Sequence, residues 1–181
     1  MRPTILVTGG AKRIGAAISR AFGQNGWHVV IHYGRSAEAA KALAATLPSA
    51  ETVSCDLNDW KQGIALIEEL ASRLDDWRML INCASLFQLD QASGLDPAIF
   101  DAAMQVNAGT PARMAQAFLK KARARGGRRV IHVTDQKIAN PNPDFFSYTM
   151  SKHALASTIR MLAMAQDDPR DRMYGIAPGA I

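Results

Sequence analysis

Short apolar runs recur along the chain, separated by longer stretches in which apolar residues return every three or four positions. The runs are Ile5-Leu6-Val7, Val29-Val30-Ile31, Thr52-Val53-Ser54-Cys55, Met79-Leu80-Ile81, Val130-Ile131-His132-Val133 and, less sharply, Met173-Tyr174-Gly175-Ile176. Several lack apolar–polar alternation, the pattern of strands covered on both faces. The intervening periodicity predicts helices over about 14–25, 37–46, 59–74, 97–124 and 148–166, the fourth with a break at Pro111. Strand–helix alternation of this kind argues for an α/β fold with a doubly wound parallel sheet of the Rossmann type. No internal repeat, low-complexity stretch or linker marks a second domain, so residues 1–181 read as one unit. Asn140-Pro141-Asn142-Pro143 is a turn-rich loop ahead of the last helix. The chain stops at Ala177-Pro178-Gly179-Ala180-Ile181, just after the sixth strand. A doubly wound domain ordinarily continues from there, so the expectation is a domain cut short at its C-terminus.

Composition narrows the class. With 181 residues, 48% of them hydrophobic and 20% charged, the chain suits a soluble domain with a full core. No apolar run is long enough to span a bilayer. Met1-Arg2-Pro3 leads directly into Thr4-Ile5-Leu6-Val7-Thr8, leaving no room for a signal peptide, so a cytoplasmic protein is expected. Cys55 and Cys83 lack metal-ligand spacing and read as buried free thiols, with no metal site expected. The net charge of +5 draws on a dense basic run from Lys120 to Arg129. That run closes a helical stretch, where cations favour the negative end of the helix dipole, and Gly126-Gly127 is expected to stop it. No aromatic residue is interleaved to stack on bases, which argues against a nucleic-acid partner. An anionic cofactor accounts for the sign of the charge equally well.

Chemistry concentrates at the ends of the strands. Thr8-Gly9-Gly10-Ala11-Lys12-Arg13-Ile14-Gly15 follows the first strand and opens the first helix. Glycines there permit a tight turn and close approach to a pyrophosphate, and the helix start offers free N–H groups. The second strand ends in His32-Tyr33-Gly34-Arg35-Ser36, with no acid to hold a ribose 2′-hydroxyl. Arg35 can pair with a 2′-phosphate and Ser36 can add a hydroxyl and a helix-start N–H, so NADP(H) is expected over NAD(H). Asp56, followed by Leu57, stands where an adenine amino group could be met; a turn or N-cap aspartate is the alternative.

Tyr148 and Lys152 are four residues apart and share a helix face. A nearby ammonium lowers a phenol pKa, which would ready Tyr148 to donate a proton. A chance pair on a solvated face is the alternative, weakened by the Gly-rich turn upstream. Asp135 closes the fifth strand, where a parallel sheet places its ligand. Ionised, it would raise the Tyr148 pKa and oppose Lys152. Such a residue must serve the chemistry in some other way. It could accept N–H bonds from an amino-pyrimidine edge, or relay a proton to a ring nitrogen. A capping or surface aspartate is the alternative.

Together, Thr8-Gly9-x-x-x-x-x-Gly15, Asp56, Asn82-x-Ala84, Asn107, Tyr148-x-x-x-Lys152 and Pro178-Gly179 resemble the short-chain dehydrogenases/reductases in order and spacing, across essentially the whole chain. Within that family the likeness is to the pteridine reductases. Thr-Gly-x-Ala-Lys-Arg-x-Gly has Arg13 where most relatives have glycine, and His32-Tyr33-x-Arg35-Ser36 is similar to the group's NADPH loop. Asn82-x-Ala84-Ser85-x-Phe87 looks like its pterin-contacting segment, and Asp135 stands where most relatives have serine. The resemblance implies a set of roles. Phe87 would stack on a pterin ring, and Ser85 and Arg13 would contact substrate and cofactor phosphate. Asn107 would help place Lys152 and a water. Asp135 with Tyr148 would protonate a ring nitrogen. It also implies a homotetramer acting in pterin or folate metabolism. Three departures stand out: Cys83 in place of an asparagine, Tyr174 in place of an asparagine, and Asp171 at the start of the sixth strand, which is expected to be late or irregular for that reason. The sequence therefore reads as an NADPH-dependent reductase of a pteridine C=N bond. The alternatives are a carbonyl or 3-oxoacyl-thioester reductase on the same fold, and a non-catalytic NADP(H)-binding protein.

Overall fold

A computed structural model describes residues 2–179; of the expected chain end, Ala180 and Ile181 lie outside the described residues. Six parallel strands form one sheet in the order β3-β2-β1-β4-β5-β6. They are β1 (Thr4–Thr8), β2 (His28–Tyr33), β3 (Ala50–Ser54), β4 (Trp77–Asn82), β5 (Arg129–Val133) and β6 (Arg172–Ile176). The helices are α1 (Arg13–Gln24), α2 (Ala37–Ala45), α3 (Trp60–Arg73), α4 (Pro97–Met104), α5 (Thr110–Lys121) and α6 (Phe146–Met164). Winding reverses between β1 and β4, which opens a crevice at the carboxyl ends of these two strands.

The missing alternation in the strands has a direct cause. Leu6, Val30, Leu80 and Val130 pack on one face against α3, α5 and α6 through Leu70, Phe118 and Leu162. Their neighbours Ile5, Val7, Val29, Ile31 and Ile81 pack on the other face against Ala16 of α1 and Leu43 of α2. Positions in the central strands β1, β2 and β4 are therefore mostly buried whichever way they point, whereas the edge strands β3 and β6 are half-buried or exposed. Burial at about 25 cal/mol per Å² on both faces favours continuous apolar runs. Trp77 anchors one core, edge-on to Phe118 at 4.8 Å between ring centroids. Its indole N–H donates to the Met79 carbonyl at 2.9 Å, so no polar group is stranded.

Five local expectations need correction. The fourth helix does not break at Pro111. It widens into a π-helical turn at Gln105–Gly109, and Pro111 follows that turn as the second residue of α5 with the backbone helical throughout. The third strand ends at Ser54, one residue before Cys55, and both cysteines are half-buried. Gly126-Gly127 does not end the basic helix. α5 stops at Lys121 and Ala122 is already extended, while Gly127, with φ 81°, makes the later turn into β5. The sixth strand is neither late nor irregular. It pairs with β5 from Arg129–Arg172 through Val133–Ile176 without a shift. Asp171 assists it: its fully buried carboxylate takes the Arg128 guanidinium at 2.5 Å and the Arg128 backbone N–H at 2.6 Å.

Candidate active site

The first turn is built by close contact. Gly9 has φ 62°, and a Cβ there would lie 2.8 Å from Ala84 Cα; a Cβ on Gly15 would lie 2.1 Å from the Gly9 carbonyl oxygen. Only glycine fits either position. The Thr8 hydroxyl accepts both the Cys83 and Ala84 N–H groups, at 3.0 and 3.1 Å, which ties the end of β1 to the end of β4. Lys12 precedes α1 without a side-chain cap, so the helix start keeps free N–H groups. Arg13 holds a left-handed φ of 49° with its side chain in solvent, a conformation that costs about 1–2 kcal/mol in a non-glycine residue. Ile14 is half-buried beside it.

His32 lies beneath this turn rather than lining an open surface. It is 2% exposed. Its Nδ1 accepts the Gly9 N–H at 3.3 Å, which leaves the proton on Nε2, 3.2 Å from the Cys55 carbonyl oxygen. Burial pushes its pKa down, keeping the ring neutral for that role. Tyr33 is half-buried, Arg35 is exposed, and Ser36 precedes α2 with its hydroxyl free of any capping bond. Asp56 folds back to accept the Asn58 N–H at 2.9 Å, the turn geometry weighed as its alternative, and remains exposed. Leu57 belongs to the core, and its carbonyl accepts from Thr110 Oγ1 at 2.8 Å. Pro178 and Gly179 follow β6, and the Pro178 carbonyl accepts the Gln136 N–H at 3.1 Å, so this segment lies beside the turn that carries Asp135.

Asp135 stands two residues past the end of β5 and starts a short 3₁₀ turn, Gln136–Ile138. Tyr148 Oη donates to Asp135 Oδ2 at 2.5 Å, while Asp135 Oδ1 accepts the Lys137 N–H at 2.9 Å. The carboxylate therefore faces the phenol. Burial, and then the hydrogen bond and charge of Asp135, push the Tyr148 pKa above that of an ordinary phenol. The expected lowering by Lys152 is overturned: its ammonium is 5.5 Å from the Tyr148 ring centroid and donates to the Val133 carbonyl at 2.9 Å. Lys152 is itself 2% exposed, and burial brings its pKa down to about 8.

Asn107 sits inside the π-helical turn, completely buried. Its amide accepts from the Leu86 N–H at 2.7 Å and donates to the Leu86 carbonyl and to Ser151 Oγ at 2.9 and 3.0 Å. The side chain thus fixes the loop after β4 and the residue before Lys152, and it makes no bond to Lys152 itself. Ser85 and Phe87 are exposed on that loop. Phe87 stacks on Phe145 at 4.0 Å with 7° between the planes, and meets Tyr148 edge-on at 4.6 Å.

Three residues at this site carried no signal in the linear motifs. Asp90 is buried and its carboxylate accepts the Ser147 N–H at 3.1 Å and the Ser147 hydroxyl, fixing the first turn of α6 one residue before Tyr148. Phe145 takes a left-handed φ of 56° at the same turn. His132 is 1% exposed, with Nδ1 3.2 Å from Asn82 Nδ2, while Nε2 and Asn82 Oδ1 find no partner among the described residues. Burial lowers the His132 pKa to about 4.

The sequence pattern of the short chain dehydrogenases matches residues 3–181. This chain belongs to the short chain dehydrogenase family. Among its relatives, galactitol 2-dehydrogenase of Agrobacterium fabrum is 28% identical over 97% of this chain and 69% of its own length. Pteridine reductase 1 of Leishmania tarentolae is 29% identical over 98% of this chain and 76% of its own length. FolM alternative dihydrofolate reductase 1 of Brucella suis, solved in complex with NADP, superimposes with a TM-score of 0.89 at 38% identity, over 98% of this chain and 72% of that structure. This short chain dehydrogenase has the fold of those relatives, and oxidoreductase chemistry is the family's work. Among the described residues no helix is long and apolar enough to cross a membrane.

Proposed function

We propose that this protein is an NADPH-dependent pteridine reductase that reduces a C=N bond of a dihydropterin or dihydrofolate. The observation that carries the reading is the 2.5 Å hydrogen bond between Tyr148 and the Asp135 carboxylate. A carboxylate beside the proton donor gains no bond from a simple ketone, which has no N–H group to offer it. It suits a heterocycle whose amino and ring N–H groups need an acceptor. The likenesses to pteridine reductase 1 and to the FolM alternative dihydrofolate reductase support the same class.

The residues present fit NADP(H). Gly9 and Gly15 leave no room for a side chain at the turn, the N–H groups of α1 stand free, and Arg35 with Ser36 offers a cationic fork and a hydroxyl for a 2′-phosphate. Gly9, Lys12, Arg13, Ile14 and Gly15 would hold the pyrophosphate side, with His32 bracing the turn from below. Tyr33, Arg35 and Ser36 would hold the 2′-phosphate, Asp56 and Leu57 the adenine, and Asn82, Ala84, Pro178 and Gly179 the nicotinamide end. When bound, NADPH supplies the hydride. Tyr148 is held neutral by its raised pKa and keeps its proton until a ring nitrogen takes it. Asp135 accepts the N–H edge of the ring and shares its charge with the phenol as one coupled pair. Lys152, positive below about pH 8, offsets that charge and would hold the nicotinamide ribose. Arg13, Ser85 and Phe87 would contact the pterin, Phe87 through its ring face. The same reading makes the protein a cytoplasmic homotetramer, supported by the family likeness.

The test is NADPH consumption by the purified protein with a dihydropterin, a ketone and a 3-oxoacyl thioester in parallel. Turnover of the dihydropterin is expected. Turnover confined to the carbonyl substrates would replace this reading with a carbonyl reductase. Tight NADPH binding without any turnover would replace it with a binding protein.

A further inference from the structure

Beyond Tyr148 the mouth of the site is a ladder of three more side chains. Phe87 meets Tyr148 edge-on at 4.6 Å, and Phe145 stacks on Phe87 at 4.0 Å. The Lys137 ammonium stands 5.6 Å from the centre of the Phe145 ring and donates to the Asn142 side chain. Among the described residues, no carboxylate lies within ion-pair distance of the Lys137 ammonium. Some other cations are paired, as Lys121 is with Glu68, Arg78 with Asp76, Arg128 with Asp171 and Arg170 with Asp168. A half-buried lysine that keeps neutral company at the lip of a site is available to an anion from outside the protein.

The backbone holds this ladder in place from both sides. The loop after β4 carries Phe87 and is zipped to the loop before α6: the Phe145 N–H donates to the Asp90 carbonyl at 2.9 Å, and the Ala92 N–H to the Pro143 carbonyl at 3.0 Å. Phe145 is fixed in a left-handed conformation that an aromatic side chain adopts only when its surroundings impose it. Lys137 is fixed through its own N–H, which donates to Asp135. The carboxylate that faces the reacting ring and the cation at the lip are therefore two residues apart on one turn.

We propose that Lys137 recognises an anionic tail on the substrate and that Phe145, stacked behind Phe87, lies along an aromatic spacer. The site would then select a folate-type molecule, with an N–H-rich head, a flat middle and a terminal carboxylate, over a dihydropterin with an uncharged side chain. The inference rests on the pteridine-reductase reading and deepens it. The order of chemistry along the ladder, carboxylate and phenol, then aromatic faces, then cation, follows the order of groups along such a molecule.

The experiment measures kcat/KM for dihydrofolate and for a 6-hydroxyalkyl dihydropterin with Lys137→Met, Lys137→Glu and Lys137→Arg beside the unaltered protein. An ion pair at a half-exposed site is worth roughly a 1.5- to 5-fold preference. The ratio of dihydrofolate to dihydropterin kcat/KM should fall by about that factor in K137M, through KM, and further in K137E, with K137R restoring it. Raising salt should shrink the ratio in the unaltered protein and leave it flat in K137M. A ratio that does not move in K137M and K137E overturns the role of Lys137 while leaving pteridine reduction intact. So does an unaltered protein that reduces the dihydropterin and ignores dihydrofolate. Failure to reduce either substrate removes both proposals together.

Discussion

Replacing Asp135 by asparagine tests the chemistry at its narrowest point. The amide keeps the size of the side chain and can still accept from Tyr148, but it carries no charge. In the present structure Tyr148 Oη lies 2.5 Å from Asp135 Oδ2, and the carboxylate contributes to the raised phenol pKa through both a hydrogen bond and its charge. Burial, the largest cause, stays when the charge goes, so the phenol pKa should move down towards the ordinary range without reaching it. A hydrogen bond to a charged group is worth about 1.5–3 kcal/mol. If the carboxylate makes that bond to an N–H of the bound ring, the variant loses roughly 10- to 150-fold in kcat/KM for a dihydropterin. The assay follows NADPH consumption, with NADPH affinity measured separately by fluorescence. Affinity should stay within about twofold, because the turn and the 2′-phosphate residues are untouched. Asp135→Ser should behave alike. Pterin kinetics unchanged in either variant would refute the assigned role of the acid, and an equal loss of cofactor affinity would reassign Asp135 to holding the loop.

Three further outcomes follow from the same structure. His132 is neutral in the fold down to about pH 4, whereas an unfolded chain protonates near 6.5; the unfolded state then binds more protons in this window, so stability falls as pH drops through it, by up to about 3 kcal/mol. Denaturation at pH 7 and pH 4.5 should show a smaller loss for His132→Asn than for the unaltered protein, and an identical loss would show that the ring titrates freely. Gly15→Ala places a methyl group 2.1 Å from the Gly9 carbonyl oxygen, so the turn must open; NADPH affinity should drop at least about tenfold with the circular dichroism spectrum retained, and unchanged affinity would contradict the turn's part in binding. Asp171→Ala strips the half-buried Arg128 of its partner and should cost about 3–5 kcal/mol in urea unfolding, whereas a loss below about 1 kcal/mol would show that water replaces the carboxylate.

Much of this protein can be read along its length, because local rules act within a few residues. Runs such as Ile5-Leu6-Val7 and Val29-Val30-Ile31 announce strands buried on both faces, and the glycines at 9 and 15 announce a turn where no side chain fits. Tyr148 and Lys152 share a helix face by spacing alone. The direction of the Tyr148 pKa shift could not be read this way. Lys152 lies nearer along the chain, yet its ammonium bonds to the Val133 carbonyl, and the phenol turns to a carboxylate thirteen positions upstream. Charge acts through distance in space, and only the packed chain sets that distance. The same holds for Asn107, whose amide serves Leu86 and Ser151, and for His32, which braces the first turn from inside. Asp171 looked like a flaw in a strand until the fold brought Arg128 to it across 43 residues. The residues available for the site are set by sequence. Which of them meet, which stay neutral and which cation is left to face the mouth are set by tertiary contacts, because burial and proximity exist only once the strands have paired.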